Sequence, residues 1–199
     1  MNIGNRLKIA REAIGYKQGK VCEISGIGKS SISEFENSTR EPSFSQLRIL
    51  ADVYKKPLDY FFSDEELVDV MLWRDAPEDE INRKETEAEF LRLCEQYRRL
   101  ELCTKEVVVP KLPKAEEIEP EKFTYKHAGD LAQKVQKELV LGDIPSSSLK
   151  QILEENYHVK IFHLSFDGSA VSTYSQIFGP AILLKKQSKL WRRNFDLAH

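Results

Sequence analysis

Apolar positions in the first sixty residues fall into short helical stripes. Ile3, Leu7, Ala10 and Ile14 recur at intervals of three and four, which predicts an amphipathic helix over 2–14, ended by Gly15. Residues 18–25 carry Val21, Cys22 and Ile24 at helical spacing, and Gly26 follows where a residue of positive φ is cheapest. Ile27 is a single apolar plug, Gly28 sits at the cap of the next helix, and 29–37 sets Ile32 and Phe35 three apart on one inward face. Arg40-Glu41-Pro42 reads as a turn. Ser43 or Ser45 then caps a helix through Leu47, Leu50, Ala51 and Tyr54, and Pro57 opens a last short helix over 58–62. Short helices at this density make one small bundle with a marginal core.

Beyond residue 62 the pattern changes. Residues 63–73, SDEELVDVMLW, read as a helix with acidic side chains in its first turn, broken by Asp75-Ala76-Pro77. Residues 77–103 then read as one long helix. Ile81, Ala88, Leu91, Cys94 and Leu102 form one line on it, with Phe90, Leu93, Tyr97 and Leu100 alongside. Two uses fit that face equally: packing on the chain's own next domain, or a dimerisation contact. The heptad run is too short for a coiled coil. Residues 107–113 read as extended and 114–122 as a polar connector. The last part begins with a helix over 125–141 through Ala128, Leu131, Val135 and Leu139, ended by Gly142. A second helix, capped by Ser146 or Ser147, runs through Leu149, Ile152 and Leu153 to Asn156. Strands follow at 159–164, 171–174 and 181–184, with a turn at Gly168 and a helix from 190. This predicts three segments: a small helical bundle over 1–62, an acidic helical linker or dimerisation segment over 63–122, and an α+β unit with a small sheet over 123–199.

The outer face of 29–37 is the informative one. Lys29, Ser30, Ser33, Glu34 and Asn37 are small or polar there, and short hydroxyl side chains let a helix approach a base edge or phosphate closely. A plain helical hairpin with a solvated serine face is the competing reading. Charge is distributed unevenly. Residues 1–62 hold ten Lys and Arg against seven Asp and Glu, 63–122 ten against eighteen, and 123–199 ten against seven. A modest basic footprint therefore surrounds the hairpin, at Lys17, Lys20, Lys29 and Arg40, within a chain of net charge −2.

Residues 3–62 resemble a Cro/CI-type helix-turn-helix domain of the XRE family. The resemblance runs through Ile3-Gly4, Arg6-Leu7, Ala10-Arg11, Gln18, Gly26-Ile27, Ser30, Ile32-Ser33, Phe35-Glu36, Pro42, Leu47, Leu50-Ala51, Leu58 and Tyr60-Phe61. It implies a five-helix, lambda-repressor-like fold in which Gln18 opens the second helix and touches a DNA phosphate. Lys29, Ser30 and Ser33, with Glu34, become base readers, and Lys17, Asn37 and Arg40 lie near the backbone. It also implies double-stranded DNA as partner and a homodimer reading a two-fold site. Gly19 and Cys22 depart from the usual residues, and Gly19 costs roughly 1 kcal/mol of helix propensity.

The C-terminal part resembles the N-terminal half of an ImmA/IrrE-type metallopeptidase, a zincin-like fold, through the helix 125–141, VKIFHL, GPAILL and RRNFDLAH. In that family the last phrase runs into H-E-x-x-H, whose histidines bind zinc and whose glutamate is the general base. His199 aligns with the first histidine; the glutamate and second histidine are not in the given chain. A catalytic zinc needs three protein ligands, so no cofactor and no catalytic residue are assigned here, and zinc is implied only for a complete family member, with His199 as its ligand if the chain continued. The expectation is a peptidase domain cut off at this point, with Phe195 and Leu197 short of packing partners. His127, His158 and His163 have no partner at ligand spacing. Cys22, Cys94 and Cys103 form no C-x-x-C pair, and neither a signal peptide nor an apolar run of membrane length occurs, which points to the cytoplasm. Three functions stay open: a sequence-specific transcription regulator with a truncated peptidase-like domain, which is preferred; a zinc metallopeptidase regulator whose catalytic half lies elsewhere; and an antitoxin or protein-interaction module whose C-terminal unit binds a protein partner or effector.

Overall fold

The computed structural model describes residues 2–62, 70–107, 112 and 123–198. The readings of 63–69, of most of 107–113, of the connector 114–122 and of His199 fall outside them. The first unit is four α-helices and a 3-10 turn: α1 (Ile3–Ala13), α2 (Gln18–Ser25), α3 (Lys29–Glu36), α4 (Phe44–Val53) and the turn Leu58–Phe62. Asn2 caps α1 by accepting from the Asn5 N–H. Ser43 caps α4 in a full capping box with Gln46, which settles the choice between Ser43 and Ser45. The core is Leu7, Ile14, Val21, Ile32, Phe35, Leu50, Tyr54 and Phe61, the residues at the helical spacings.

The reading of 63–73 as a helix is corrected at its described end. Met71–Trp73 is a strand, β1, antiparallel to β3 (Ala170–Ser175) with Met71 opposite Thr173 and Trp73 opposite Val171. Thr173 Oγ1 also donates to the Val70 carbonyl at 3.0 Å. The partner lies a hundred residues downstream, so nothing local in MLW distinguishes strand from helix. The sheet is completed by β4 (Gly179–Lys185), antiparallel to β3, and β2 (Lys160–Leu164), parallel to β4, in the order β1-β3-β4-β2.

The long helix α5 (Glu80–Thr104) starts at Asp79, whose carboxylate accepts from the Ile81 and Asn82 N–H groups. Phe90 and Cys94 are fully buried against Val171, Phe178, Ala181 and Leu183 on one face of the sheet. Of the two uses left open for this helix, it serves packing on the chain's own sheet. The opposite sheet face, with Ala170, Ile182 and Leu184, is covered by Leu139 after α6 (Tyr125–Glu138), Leu149 of α7 (Pro145–Glu155) and Leu197 of α8 (Leu190–Ala198). Leu197 is thus buried, contrary to the expectation that it lacks partners; Phe195 is half exposed, with the Arg74 guanidinium 4.1 Å over its ring. α7 begins differently from its reading: Pro145 occupies the first turn, Ile144 stands at the cap, and the Ser147 hydroxyl donates back to the Ile144 carbonyl.

α5 also touches the first unit. Ala88 packs on its core. Tyr16 donates its hydroxyl to Glu85 Oε1 at 2.7 Å, Lys55 lies 3.3 Å from Glu89, and Arg99 bridges both Asp59 oxygens at 2.8 Å. One helix therefore serves two cores.

Candidate nucleic-acid interface

The turn between α2 and α3 is built by Gly26 and Ile27. Gly26 takes φ 69°, and its N–H returns to the Cys22 carbonyl to close α2. Ile27 is buried, and its N–H donates to Ser25 Oγ at 3.1 Å. Gly28 caps α3 with no side-chain hydrogen bond, so the first N–H groups of α3 are left without a capping acceptor. α3 buries Ile32, Phe35 and Glu36 and turns the opposite face outward.

Lys29, Ser30 and Asn37 are exposed on that face, and Ser33 and Glu34 are half-buried. Asn37 donates to Ser33 Oγ at 3.4 Å. Arg40 pairs with Glu34 at 3.4 Å, its guanidinium 5.5 Å from the Phe35 ring centre. Lys17 is exposed at the cap of α2. Of the residues named as base readers or phosphate contacts, Lys29, Ser30, Ser33 and Glu34 fall on α3, Asn37 at its end and Arg40 in the turn after it, while Lys17 and Gln18 stand at the start of α2. Gln18 is half-buried, and its amide donates to Glu36 Oε2 at 2.9 Å.

Sequence reasoning missed the group beneath this face. Glu36 accepts from Arg11 twice, at 2.6 and 3.0 Å, while Arg11 also donates to the Tyr16 carbonyl at 2.8 Å. This bidentate pair is nearly closed to solvent, with 4% of the Glu36 side chain exposed. The hydrogen bond to Glu36 holds the Arg11 guanidinium above its ordinary pKa. The Tyr54 hydroxyl lies buried beside it, with no hydrogen-bond partner among the described residues, and burial raises its pKa. α1, α2 and α3 are thus tied at one carboxylate. A buried-side Glu on a short helix, with an Arg on the preceding amphipathic helix, was the available signal.

Residues 7–61 match a helix-turn-helix family model. This unit is a helix-turn-helix domain of XRE type. The chain is 34% identical over 67 residues to the HTH-type transcriptional regulator ImmR of Bacillus subtilis, a stretch covering 34% of this chain and 53% of that relative. It is 38% identical over 66 residues to the HTH-type transcriptional regulator PuuR of Escherichia coli, covering 33% of this chain and 36% of that protein. It is 28% identical over 64 residues to an uncharacterized HTH-type transcriptional regulator of Sinorhizobium medicae, 32% of this chain and 46% of that one. The matched stretch spans about half or less of these curated relatives, and it is the length of the helix-turn-helix domain. No solved structure matches the chain. Among the described residues no helix is long and apolar enough to cross a membrane.

Proposed function

We propose that the chain is a sequence-specific DNA-binding transcription regulator, acting as a homodimer on double-stranded DNA. The observation that carries this reading is the serine- and lysine-bearing face of α3, exposed next to an uncapped helix start and braced from beneath by Glu36. Lys29, Ser30 and Ser33, with Glu34, read base edges in the major groove, while Lys17, Asn37 and Arg40 hold phosphates. Arg40 leaves Glu34 to do so, an exchange of one exposed ion pair for another of similar worth. Gln18 acts from the start of α2, where its amide is already oriented by Glu36.

The second unit is read as ImmA/IrrE-like. Support comes from its order of elements, two helices, three strands and a helix, with RRNFDLA on α8. Its zinc finds no counterpart in the described residues: no three His, Cys, Asp or Glu side chains among them stand close enough to hold a metal ion. No chemical step is assigned to it.

The test is selection of random duplex DNA on the purified chain at two salt concentrations. A two-fold enriched motif is expected. Ser30→Ala and Lys29→Ala should each lose about 1–3 kcal/mol at particular base positions, whereas Lys17→Ala should weaken all sequences alike and flatten the salt dependence. No enriched motif, with binding that vanishes at the higher salt, would overturn the reading and favour the protein-interaction alternative.

A further inference from the structure

The strand order places β1 at an edge of the sheet. The Arg74 N–H donates to the Ala170 carbonyl at 3.0 Å, and these two residues continue the register that sets Met71 opposite Thr173. Backbone groups along an antiparallel strand point alternately to the partner and away from it. Leu72 therefore turns its N–H and C=O towards β3. Met71 and Trp73 turn theirs outward, where no strand meets them among the described residues. This edge is apolar: Val70, Met71, Leu72 and Trp73 are consecutive, with no charge and no proline among them. Sheets ordinarily blunt a free edge with charge or proline, and the opposite edge, β2, carries Lys160 and His163. Leu72 is 66% exposed. With exposed Val70 and Tyr174, and with Leu112, it lines an apolar groove of about 360 Å³ on the sheet face.

We propose that β1 is the contact between two copies of this chain, the strands pairing antiparallel about a two-fold axis so that the two sheets become one. The outward groups fix the register. Within β1 only Met71 and Trp73 have N–H and C=O groups turned to the edge, so Met71 of each copy exchanges both hydrogen bonds with Trp73 of the other, and Leu72 meets its own counterpart on the axis. The pairing is self-complementary. Arg74, the one charge within 70–74, falls opposite Val70, so no like charges oppose each other there. Asp75 is held by Ser169 of its own chain, whose hydroxyl donates to the carboxylate at 3.0 Å. The long helix does not compete for this role, because Phe90 and Cys94 are spent on the chain's own sheet. One short strand pair with Leu72, Val70 and Tyr174 is a small contact, which sets the dimer's dissociation in the micromolar range. The use of this dimer on DNA rests on the reading above; the strand pairing itself does not.

Sedimentation velocity of the full chain across about 1–100 μM tests it. A monomer–dimer equilibrium with no larger species is expected. Leu72→Lys changes an exposed side chain, so the monomer keeps its fold, while two cations meet on the axis; dimerisation should weaken about tenfold or more. Disulfide crosslinking reads the register, in a chain carrying Cys22→Ser and Cys103→Ser, the remaining Cys94 being buried. Leu72→Cys should link two copies on mild oxidation, because facing residues of a non-hydrogen-bonded pair stand about 4.5 Å apart at Cα. Val70→Cys should not, since its counterpart lies about 14 Å away along the strands. A chain that stays monomeric throughout, a dimer that Leu72→Lys leaves intact, or open-ended association overturns the proposal. Crosslinking that fails at position 72, or succeeds equally at position 70, overturns the register. A dimer that behaves as expected yet selects no DNA motif overturns the DNA reading and leaves the strand contact standing.

Discussion

Glu36 takes hydrogen bonds from two other helices, Arg11 of α1 and Gln18 of α2, at 2.6 to 3.0 Å. Removing its charge leaves a largely buried guanidinium with a poorer acceptor. Glu36→Gln should cost about 3 kcal/mol of stability, read by denaturant unfolding; a loss within a few tenths would mean that the pair contributes nothing net. His163 offers a second test at this scale. It shares a sheet face with Ile161, and burial, with Lys150 and Arg193 nearby, lowers its pKa below the ordinary 6.5. The folded state therefore prefers the neutral ring. Its contribution is fully present above pH 6.5, where both states are neutral. It is lost as pH falls from there through the lower folded value, because the unfolded chain takes up the proton first. Unfolding free energy measured across that window should fall on acidification, and His163→Gln should flatten the slope.

Among the elements, two glycines in the helix-turn-helix domain have opposite meanings. A Cβ on Gly4 would stand 2.3 Å from the Phe35 carbonyl oxygen and 2.4 Å from Ser38 Oγ, so α1 crosses the end of α3 at a distance only glycine allows. Gly4→Ala should destabilise by about 1–3 kcal/mol despite alanine's better helix propensity. Gly19 meets nothing within 4 Å. Gly19→Ala should raise stability by about 0.5–1 kcal/mol, the ordinary helix preference. Thermal melts of the two variants moving in the same direction would show that close approach does not set the α1–α3 crossing. The same contrast explains what was legible. Both glycines appear in the sequence, but only the packed structure distinguishes a crowded one from an idle one.

In the molecule as a whole, α5 is the shared member. Phe90 and Cys94 face the sheet, while Ala88, Glu85 and Glu89 reach the helix-turn-helix domain. Phe90→Ala should cost about 3–5 kcal/mol. Because α5 belongs to both contact sets, far-ultraviolet dichroism and the near-ultraviolet signal of Trp73, whose indole donates to Glu87 on α5, should shift together. Two separated transitions would show instead that the units unfold independently and that the α5 contacts to the first unit are weak.

The sequence by itself determined the helix-turn-helix unit, because every signal there is local: stripes at 3.6-residue period, Gly26 at the close of α2, a serine cap at Ser43 or Ser45 before α4 and Pro57 before the last turn. The outward face of α3 was legible for the same reason, since helix phase alone turns Ser30 outward when Ile32 and Phe35 turn in. Strands β2, β3 and β4 were legible as apolar runs bounded by turns. Only the tertiary structure decided what depends on distant partners. Met71–Trp73 becomes a strand because β3 has a free edge; α5 turns Phe90 inward because a sheet face is there to receive it; Gln18 and Arg11 meet at Glu36 because three helices converge. Local sequence sets what a segment can form, and the contact that selects among those forms lies up to a hundred residues away.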